Sequence, residues 1–307
     1  MLSIGFRQML ARRQKAINSL VCVGLDPLPD KLPSHFNNKH LSLANKVAEW
    51  MIAIVEATVP YASMFKPQSA HWEAIPGGIE ALQKVVRHIH NYYPGIPVFL
   101  DCKRGDIART QACYSIAHFN FGEVDGMNFS PYMGKDCMEA LVDKKHLGRA
   151  LVGLCYTSNP AARQVQDVRL ADGRLYWEFM AETILNWAEE LEVAQNAGLV
   201  MAAAYENPRG SAIIYSEHLA RCRQIVGDKL WFLIPGIGAQ GGFVVETVRV
   251  GFIDYGSIAV NSSSGIIFAS SGKDFAEAAA AKAKQLRDIT YTAVAFTKAV
   301  WERKVYH

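Results

Sequence analysis

Short apolar runs alternate along this chain with longer segments whose apolar residues recur about every 3.6 positions. The runs are almost wholly apolar, as parallel strands buried on both faces are, and the longer segments are typical of amphipathic helices. The predicted helices include 43–58, 78–92, 107–121, 176–195 and 208–226. The eight predicted strands lie at 20–25, 62–65, 98–100, 126–129, 150–155, 199–203, 230–234 and 255–260. Eight strands, each followed by room for a helix, predict an α/β fold, and a (β/α)₈ barrel rather than an open sheet.

Both ends of the chain extend this barrel with helices. Residues 1–19 predict an amphipathic helix that packs on the barrel, although the absence of acids before Asp26 is also typical of mitochondrial transit peptides. Residues 273–307 predict a helical extension, Ala-rich and charged in its first half. Because no linker or fixed-period repeat divides the chain, we expect 1–307 to be a single domain with its barrel core at about 20–270.

Composition narrows the class of protein. Of the 307 residues 50% are hydrophobic and 20% charged, and the net charge is +3, which excludes disorder and gives no basis for a nucleic-acid partner. No apolar run reaches the ~18 residues of a membrane span, and arginines interrupt any secretory signal. The 6 cysteines are scattered and form no C-x-x-C pair, so we expect reduced, buried thiols in a cytoplasmic protein.

Candidate chemistry is sought at the carboxyl ends of the strands, because barrel enzymes carry their active sites there. Polar residues follow most of these predicted ends: Asp26, Lys66, Asp101, Lys103, Asp106, Thr157, Ser158, Asn159, the glycine-rich segment 235–242 and the serine-rich segment 261–265.

The run Asp-Cys-Lys-Arg-Gly-Asp at 101–106 is the most informative of them. Asp101 and Lys103 are two positions apart, so on a strand both face the barrel mouth while Cys102 faces the helices. Such buried charges are costly unless they pair, and Lys66 on the neighbouring strand supplies a second cation. A barrel-stabilising ion-pair network is the structural alternative, but four ionisable groups converging on this face favour a catalytic site.

The segment 236–241 matches G-x-G-x-x-G, but it follows the seventh strand, whereas a dinucleotide fold needs it after the first. In barrels the loops after strands seven and eight often bind phosphate through backbone N–H groups. Gln240 and Gly241 suit such a site, although two tight turns closing the barrel would use the same residues. The 9 histidines show no metal-ligand spacing, so no metal is predicted.

Together these segments resemble the orotidine 5′-phosphate decarboxylases, and in particular their longer bacterial type. The matching segments occur in the family's order over nearly the whole chain: 23–27 (VGLDP), 65–68 (FKPQ), 101–110 (DCKRGDIART), 157–160 (TSNP), 235–242 (PGIGAQGG) and 261–266 (NSSSGI). The resemblance implies a carboxy-lyase that converts orotidine 5′-phosphate to uridine 5′-monophosphate in de novo pyrimidine biosynthesis. It also implies that no metal and no organic cofactor is needed.

The resemblance further implies residue roles. A Lys-Asp-Lys-Asp network would fall on Lys66, Asp101, Lys103 and Asp106, with Lys103 protonating C6 of the pyrimidine and Asp101 lying against the substrate carboxylate. Substrate contacts would come from Asp26 and Lys66 at the ribose, Ser158 at the pyrimidine edge, and Gln240, Gly241 and position 264 at the phosphate. The active unit would be a homodimer, in which Asp106, Ile107 and Thr110 reach into the partner's site.

One position departs from the family pattern. An arginine usually precedes the glycine after strand eight, and this chain has Ser264 there. Arg163, in the loop after strand five, is a candidate substitute. This departure leaves an impaired nucleotide-phosphate binder open as a second function. A metal-dependent sugar-phosphate decarboxylase or aldolase of the same suprafamily is a third, because those enzymes share the D-x-K-x-x-D run. Lys66 argues against the third, because a divalent metal there would require a carboxylate.

Overall fold

The computed structural model describes residues 4–37, 40–143, 147–207, 210–236 and 241–305. Eight parallel strands form one sheet in the order β2-β1-β8-β7-β6-β5-β4-β3. Parallel bridges from Phe65 to Val98 and from Gln68 to Asp101 join the two edge strands, so the sheet closes into a barrel. The predicted (β/α)₈ fold is confirmed. The strands are β1 (Val21–Leu25), β2 (Met64–Pro67), β3 (Phe99–Arg104), β4 (Gly126–Phe129), β5 (Ala150–Tyr156), β6 (Gly198–Met201), β7 (Trp231–Ile234) and β8 (Ile258–Ser262).

One helix, α1, precedes the first strand, and the other helices follow the strands. The helices are α1 (Phe6–Ile17), α2 (Leu43–Thr58), α3 (Ser69–Glu73), α4 (Gly78–Tyr92), α5 (Ala108–Ser115), α6 (Asp136–Glu139), α7 (Arg163–Gln166), α8 (Tyr176–Glu190), α9 (Glu217–Val226), α10 (Gly241–Gly251), α11 (Ser264–Ile267) and α12 (Phe275–Val305). A π-helical turn, Ile116–Phe121, continues α5. The predicted helices at 43–58 and 78–92 are confirmed residue for residue as α2 and α4.

Other helix boundaries differ from the sequence prediction for local reasons. The helix predicted at 176–195 ends at Glu190, and Glu192 beyond it takes a left-handed φ of 60°. The helix predicted at 208–226 begins only at Glu217, because 214–215 pair with 205–206 in a small antiparallel ladder. Residues 208 and 209 lie outside the described residues. The C-terminal extension is one continuous helix, α12, which packs against α2 and α10.

The amino-terminal helix α1 closes the end of the barrel at which the strands begin, which we call the lower end; the strands finish at the upper end. Phe6 and Leu10 are buried in the cluster that fills the barrel interior. The Phe6 ring stacks on Trp231 with 5.4 Å between centroids and meets Phe99 edge-on at 6.0 Å. Gln14, fully buried, donates to the carbonyl of Ile258 at 2.8 Å. The predicted packing of this helix on the barrel is therefore confirmed.

Two further expectations were tested by the fold. No helix among the described residues is both long and apolar enough to cross a membrane. All six cysteines are free thiols, as predicted, but the expectation that they are buried is wrong for Cys113, which is exposed on α5, and Cys102 is only half-buried.

Candidate active site

A cavity of about 450 Å³ opens at the carboxyl ends of the strands. Charged side chains of β2 and β3 form part of its floor, and the loop after β5 forms one wall. Its lining includes Lys66, Asp101, Lys103, Asn128, Thr157, Ser158, Asn159, Gln166, Leu233 and Pro235. A second groove, of about 610 Å³, lies on the outer surface between α10 and α12. Because only the first contains the converging charges, we place the candidate active site there.

Three of the predicted residues form a linear charge array on the cavity floor. Lys66 Nζ lies 3.1 Å from Asp101 Oδ2, and Lys103 Nζ lies 2.5 Å from Asp101 Oδ1. Lys66 and Asp101 are only 2% and 9% exposed, whereas the Lys103 side chain is 45% exposed. The aspartate therefore lies between a buried ammonium and an ammonium that faces the cavity.

The electrostatics of the array keep Lys66 and Asp101 ionised. Burial alone would lower the pKa of Lys66, but the carboxylates of Asp26 and Asp101 outweigh it and raise that pKa above its usual range. Burial would raise the pKa of Asp101, but Lys66 and Lys103 outweigh it and hold that pKa far below its usual range. Each buried charge is thus stabilised by its opposite neighbour.

Lys103, which lines the cavity, has a strained backbone. Lys103 has a φ of 48°, a left-handed conformation that is unfavourable for a residue with a Cβ. Asn128 on β4 stabilises it, because its Oδ1 accepts from the N–H groups of Cys102 at 2.8 Å and Lys103 at 2.7 Å. The Asn128 amide also donates to Asp101 Oδ1 at 2.7 Å. Strained backbone held by its surroundings in this way is concentrated at functional sites.

Two predicted acids occupy different positions relative to the array. Asp26 joins it, with Oδ1 at 4.0 Å from Lys66 Nζ. Asp106 stands apart, because its Oδ1 accepts from the Ile107 N–H at 2.7 Å and no ion pair links it to the described lysines. Ile107 is 58% exposed and Thr110 is also exposed, so this segment faces outward from the barrel.

The remaining predicted substrate contacts lie on three loops. Ser158 lines the cavity and packs against Gly236, where a Cβ would meet its Oγ at 3.2 Å. Gln240 lies outside the described residues, and Gly241 begins α10. Ser264 is exposed at the first position of α11. Arg163 stacks its guanidinium on Tyr205, 4.4 Å from the ring centroid.

Sequence reasoning missed two residues of this site. Asn128 is the lone polar side chain in the strand 126–129 and is 1% exposed, so a buried amide within an apolar run was the available indication. Gln166 binds Thr157 through both ends of its amide, and nothing in the local pattern distinguishes it from Gln164.

Comparison with known proteins agrees with this geometry. The sequence model of the orotidine 5′-phosphate decarboxylase / HUMPS family matches residues 19–281. An orotidine 5′-phosphate decarboxylase of Cupriavidus necator is 38% identical over 284 residues, covering 92% of this chain and 96% of that protein. One of Azoarcus sp. is 36% identical over 272 residues, covering 88% and 93%.

Solved structures show the same fold. The OMP decarboxylase of Leishmania donovani superposes with a TM-score of 0.72 at 30% identity, over 94% of this chain and 99% of that one. The orotidine 5′-monophosphate decarboxylase of Plasmodium berghei superposes with a TM-score of 0.77 at 21% identity over 94% and 99%, a likeness of fold alone. The fold and the charged mouth define a (β/α)₈ barrel with its site at the strand ends. The chain belongs to the orotidine 5′-phosphate decarboxylase / HUMPS family.

Proposed function

We propose that this protein decarboxylates orotidine 5′-phosphate to uridine 5′-monophosphate in de novo pyrimidine biosynthesis. The observation that carries the proposal is the Lys66–Asp101–Lys103 array at the floor of the cavity, in a member of this family. Cofactor independence and a cytoplasmic location belong to the same proposal, as does a single barrel domain spanning both helical extensions.

The chemistry follows from the exposed end of the array. Loss of carbon dioxide leaves negative charge at C6 of the pyrimidine with no adjacent electron sink. The Lys103 ammonium, fixed by Asp101 and reaching into the cavity, would stabilise that charge and deliver the proton to C6. Asp101 would lie against the substrate carboxylate and repel it. The repulsion would be relieved when the carboxylate leaves as neutral carbon dioxide.

Binding energy would come from parts of the substrate that do not react. Asp26 and Lys66 would hold ribose hydroxyls, and Ser158 would meet the pyrimidine edge. Gln240 and the backbone at Gly241 would bind the phosphate. Interactions with the remote phosphate can then be used to bring the reacting carboxylate into a site that contains a fixed negative charge.

A homodimer would complete the site. The segment 107–121, which carries Thr110, and the turn after β4 expose several large apolar side chains, and exposed apolar surface of this kind marks protein–protein contacts. The exposed side chains are Ile107 (58%), Ile116 (47%), Phe121 (62%), Tyr132 (81%) and Met133 (49%). We propose that a second copy of this chain covers them and that Asp106 reaches its site.

The metal-dependent sugar-phosphate alternative has no support in the described residues. Lys66, which would stand where a divalent ion wants a carboxylate, is already neutralised by two aspartates. No group of three His, Cys, Asp or Glu side chains among the described residues could hold a metal.

The test is a direct assay of purified protein with orotidine 5′-phosphate, followed by the loss of its ultraviolet absorbance. We expect turnover that EDTA does not change. Turnover abolished by EDTA would favour the metal-dependent reaction. Tight calorimetric binding of uridine 5′-monophosphate without turnover would identify an impaired binder and overturn the proposal.

A further inference from the structure

In the loop after β5, side-chain hydrogen bonds hold the two residues that flank Ser158. Gln166, at the end of α7, accepts from the Thr157 N–H with Oε1 at 2.9 Å and donates from Nε2 to Thr157 Oγ1 at 2.9 Å. The Thr157 hydroxyl donates in turn to Asn159 Oδ1 at 2.5 Å. Both neighbours of Ser158 are therefore fixed by side chains rather than by the barrel sheet.

The loop after β7 restricts the position of Ser158 from the other side. Its side chain rests against Gly236, the residue after Pro235 in the loop that follows β7. Gly236 has a φ of 84°, and a Cβ there would lie 3.2 Å from Ser158 Oγ and 3.3 Å from its Cβ. The position of Ser158 in the cavity is thus set by Thr157, which Gln166 holds, on one side and by the β7 loop on the other.

Two further contacts anchor the segment that carries Gln166. At its start Arg163 stacks on Tyr205 at 4.4 Å, and just after it Asp167 Oδ2 lies 3.5 Å from the Tyr156 hydroxyl. The short helix is therefore fixed at both ends while Gln166 faces the cavity wall.

We propose that Gln166 is a positioning residue that holds Ser158 in place for recognition of the pyrimidine edge. The proposal rests on the proposed function, which gives Ser158 its contact with the base. Gln166 is half-buried at the end of the short helix α7 and bonds to a loop residue, so its removal would loosen the loop without opening the barrel core. A loosened wall would weaken binding of the pyrimidine and leave the ribose phosphate end unaffected.

The experiment compares Gln166→Ala with Gln164→Ala, a matched control because Gln164 is an exposed glutamine on the same helix. Binding is measured by calorimetry with uridine 5′-monophosphate and with ribose 5-phosphate, which lacks the base. For Gln166→Ala we expect an about tenfold weaker Kd for the nucleotide, as for the loss of one or two hydrogen bonds, and an unchanged Kd for ribose 5-phosphate. The control should change neither Kd, and both variants should keep the wild-type Tm.

A double-mutant cycle tests whether Gln166 acts through Ser158. In a Ser158→Ala background, Gln166→Ala should add no further loss of nucleotide affinity. Gln166→Glu, which keeps the acceptor for the Thr157 N–H, should retain part of the affinity and serves if the alanine variant does not fold. Equal weakening of both ligands, full additivity with Ser158→Ala, or unchanged nucleotide binding would each overturn the proposal. A wild-type protein that binds the nucleotide without turnover would reject the proposed function alone, because the binding comparison does not depend on catalysis.

Discussion

The two ends of this barrel are built from the same eight strands but with opposite chemistry. At the amino-terminal end α1 inserts Phe6 and Leu10, 1% and 0% exposed, against the rings of Phe99 and Trp231. At the carboxyl-terminal end the strands finish in Lys66, Asp101 and Lys103 around an open cavity. One end is dry and filled with apolar side chains, and the other contains buried charges beside solvent.

This difference places the residues that stabilise the fold at one end of the barrel and the candidate functional residues at the other. The packing of Phe6 and Leu10 at the lower end stabilises the barrel, and neither residue lines the cavity. The charges at the upper end are costly to bury and are retained only because each has an opposite partner. Substitutions at the two ends should therefore change different quantities: turnover at the carboxyl end of the strands and the free energy of unfolding at the amino end.

Lys103→Ala should abolish decarboxylation, by a factor of about 10⁴ or more, because it removes the proposed proton donor and the cation proposed to face C6. The fold should persist, since this side chain is 45% exposed and alanine tolerates the same backbone as lysine. Absorbance assays and thermal unfolding measure the two effects. Lys135→Ala, a surface lysine paired with Glu190, is the matched control and should retain full activity. Residual turnover above about one per cent of wild type would contradict the assigned role.

Phe6→Ala should have the converse effect at the other end. Removing a buried aromatic ring costs about 3–5 kcal/mol of unfolding free energy, because the cavity left between Trp231 and Phe99 cannot fully collapse. Urea unfolding measures this loss, and kcat/KM of the folded enzyme should stay within about twofold of wild type. Phe296→Ala, at a ring 60% exposed on α12, should change stability by less than about 0.5 kcal/mol. A large fall in kcat with Phe6→Ala would show that the two ends are coupled.

Much of this two-ended architecture could be predicted from sequence, for physical reasons. Buried parallel strands are nearly continuous apolar runs, so all eight were found, and alternation along β3 correctly placed Asp101 and Lys103 at the mouth. The left-handed φ of Lys103 could not be predicted, because it depends on Asn128, a partner on another strand. Of the four predicted groups, Lys66, Asp101 and Lys103 lie together with Asp26 close by, whereas Asp106 forms no ion pair with the described lysines.

Asp101→Asn tests whether the upper end contributes any stability of its own. Breaking this pair leaves Lys66 without its nearest carboxylate, which we expect to cost about 3 kcal/mol. The pKa of Asp101 is lowered from 3.8, so its contribution is present above pH 3.8 and is lost as pH falls toward the folded value. The pKa of Lys66 is raised from 10.5, so its contribution is present below pH 10.5 and is lost only at higher pH.

The difference in unfolding free energy between wild type and Asp101→Asn should therefore be constant from about pH 5 to 9 and shrink below pH 3.8. Urea titrations across this range measure it. Asp172→Asn, an exposed carboxylate paired with Arg174, should have little effect at any pH. A difference that grows on acidification would mean that Asp101 is not stabilised as a carboxylate.

Ser264→Arg should strengthen phosphate binding at the upper end of the barrel. Residue 264 is exposed at the start of α11, in the loop after β8, where the family usually supplies a phosphate-binding arginine. A guanidinium there can form charge-assisted hydrogen bonds worth roughly 1.5–3 kcal/mol each, so the Kd of uridine 5′-monophosphate should fall about tenfold or more. KM for orotidine 5′-phosphate should fall with it.

The control is Gln285→Arg, which adds the same charge at an exposed position on α12. If the added charge only attracts the anionic ligand in general, both variants should lower the Kd. If the arginine introduced at position 264 binds the phosphate directly, only Ser264→Arg should lower it. Raising the salt concentration weakens general attraction more than a direct contact. If Ser264→Arg leaves both constants unchanged, the phosphate is already bound by other groups. Other groups of this chain would then compensate for the serine at position 264, and the upper end of the barrel would bind the phosphate fully without that arginine.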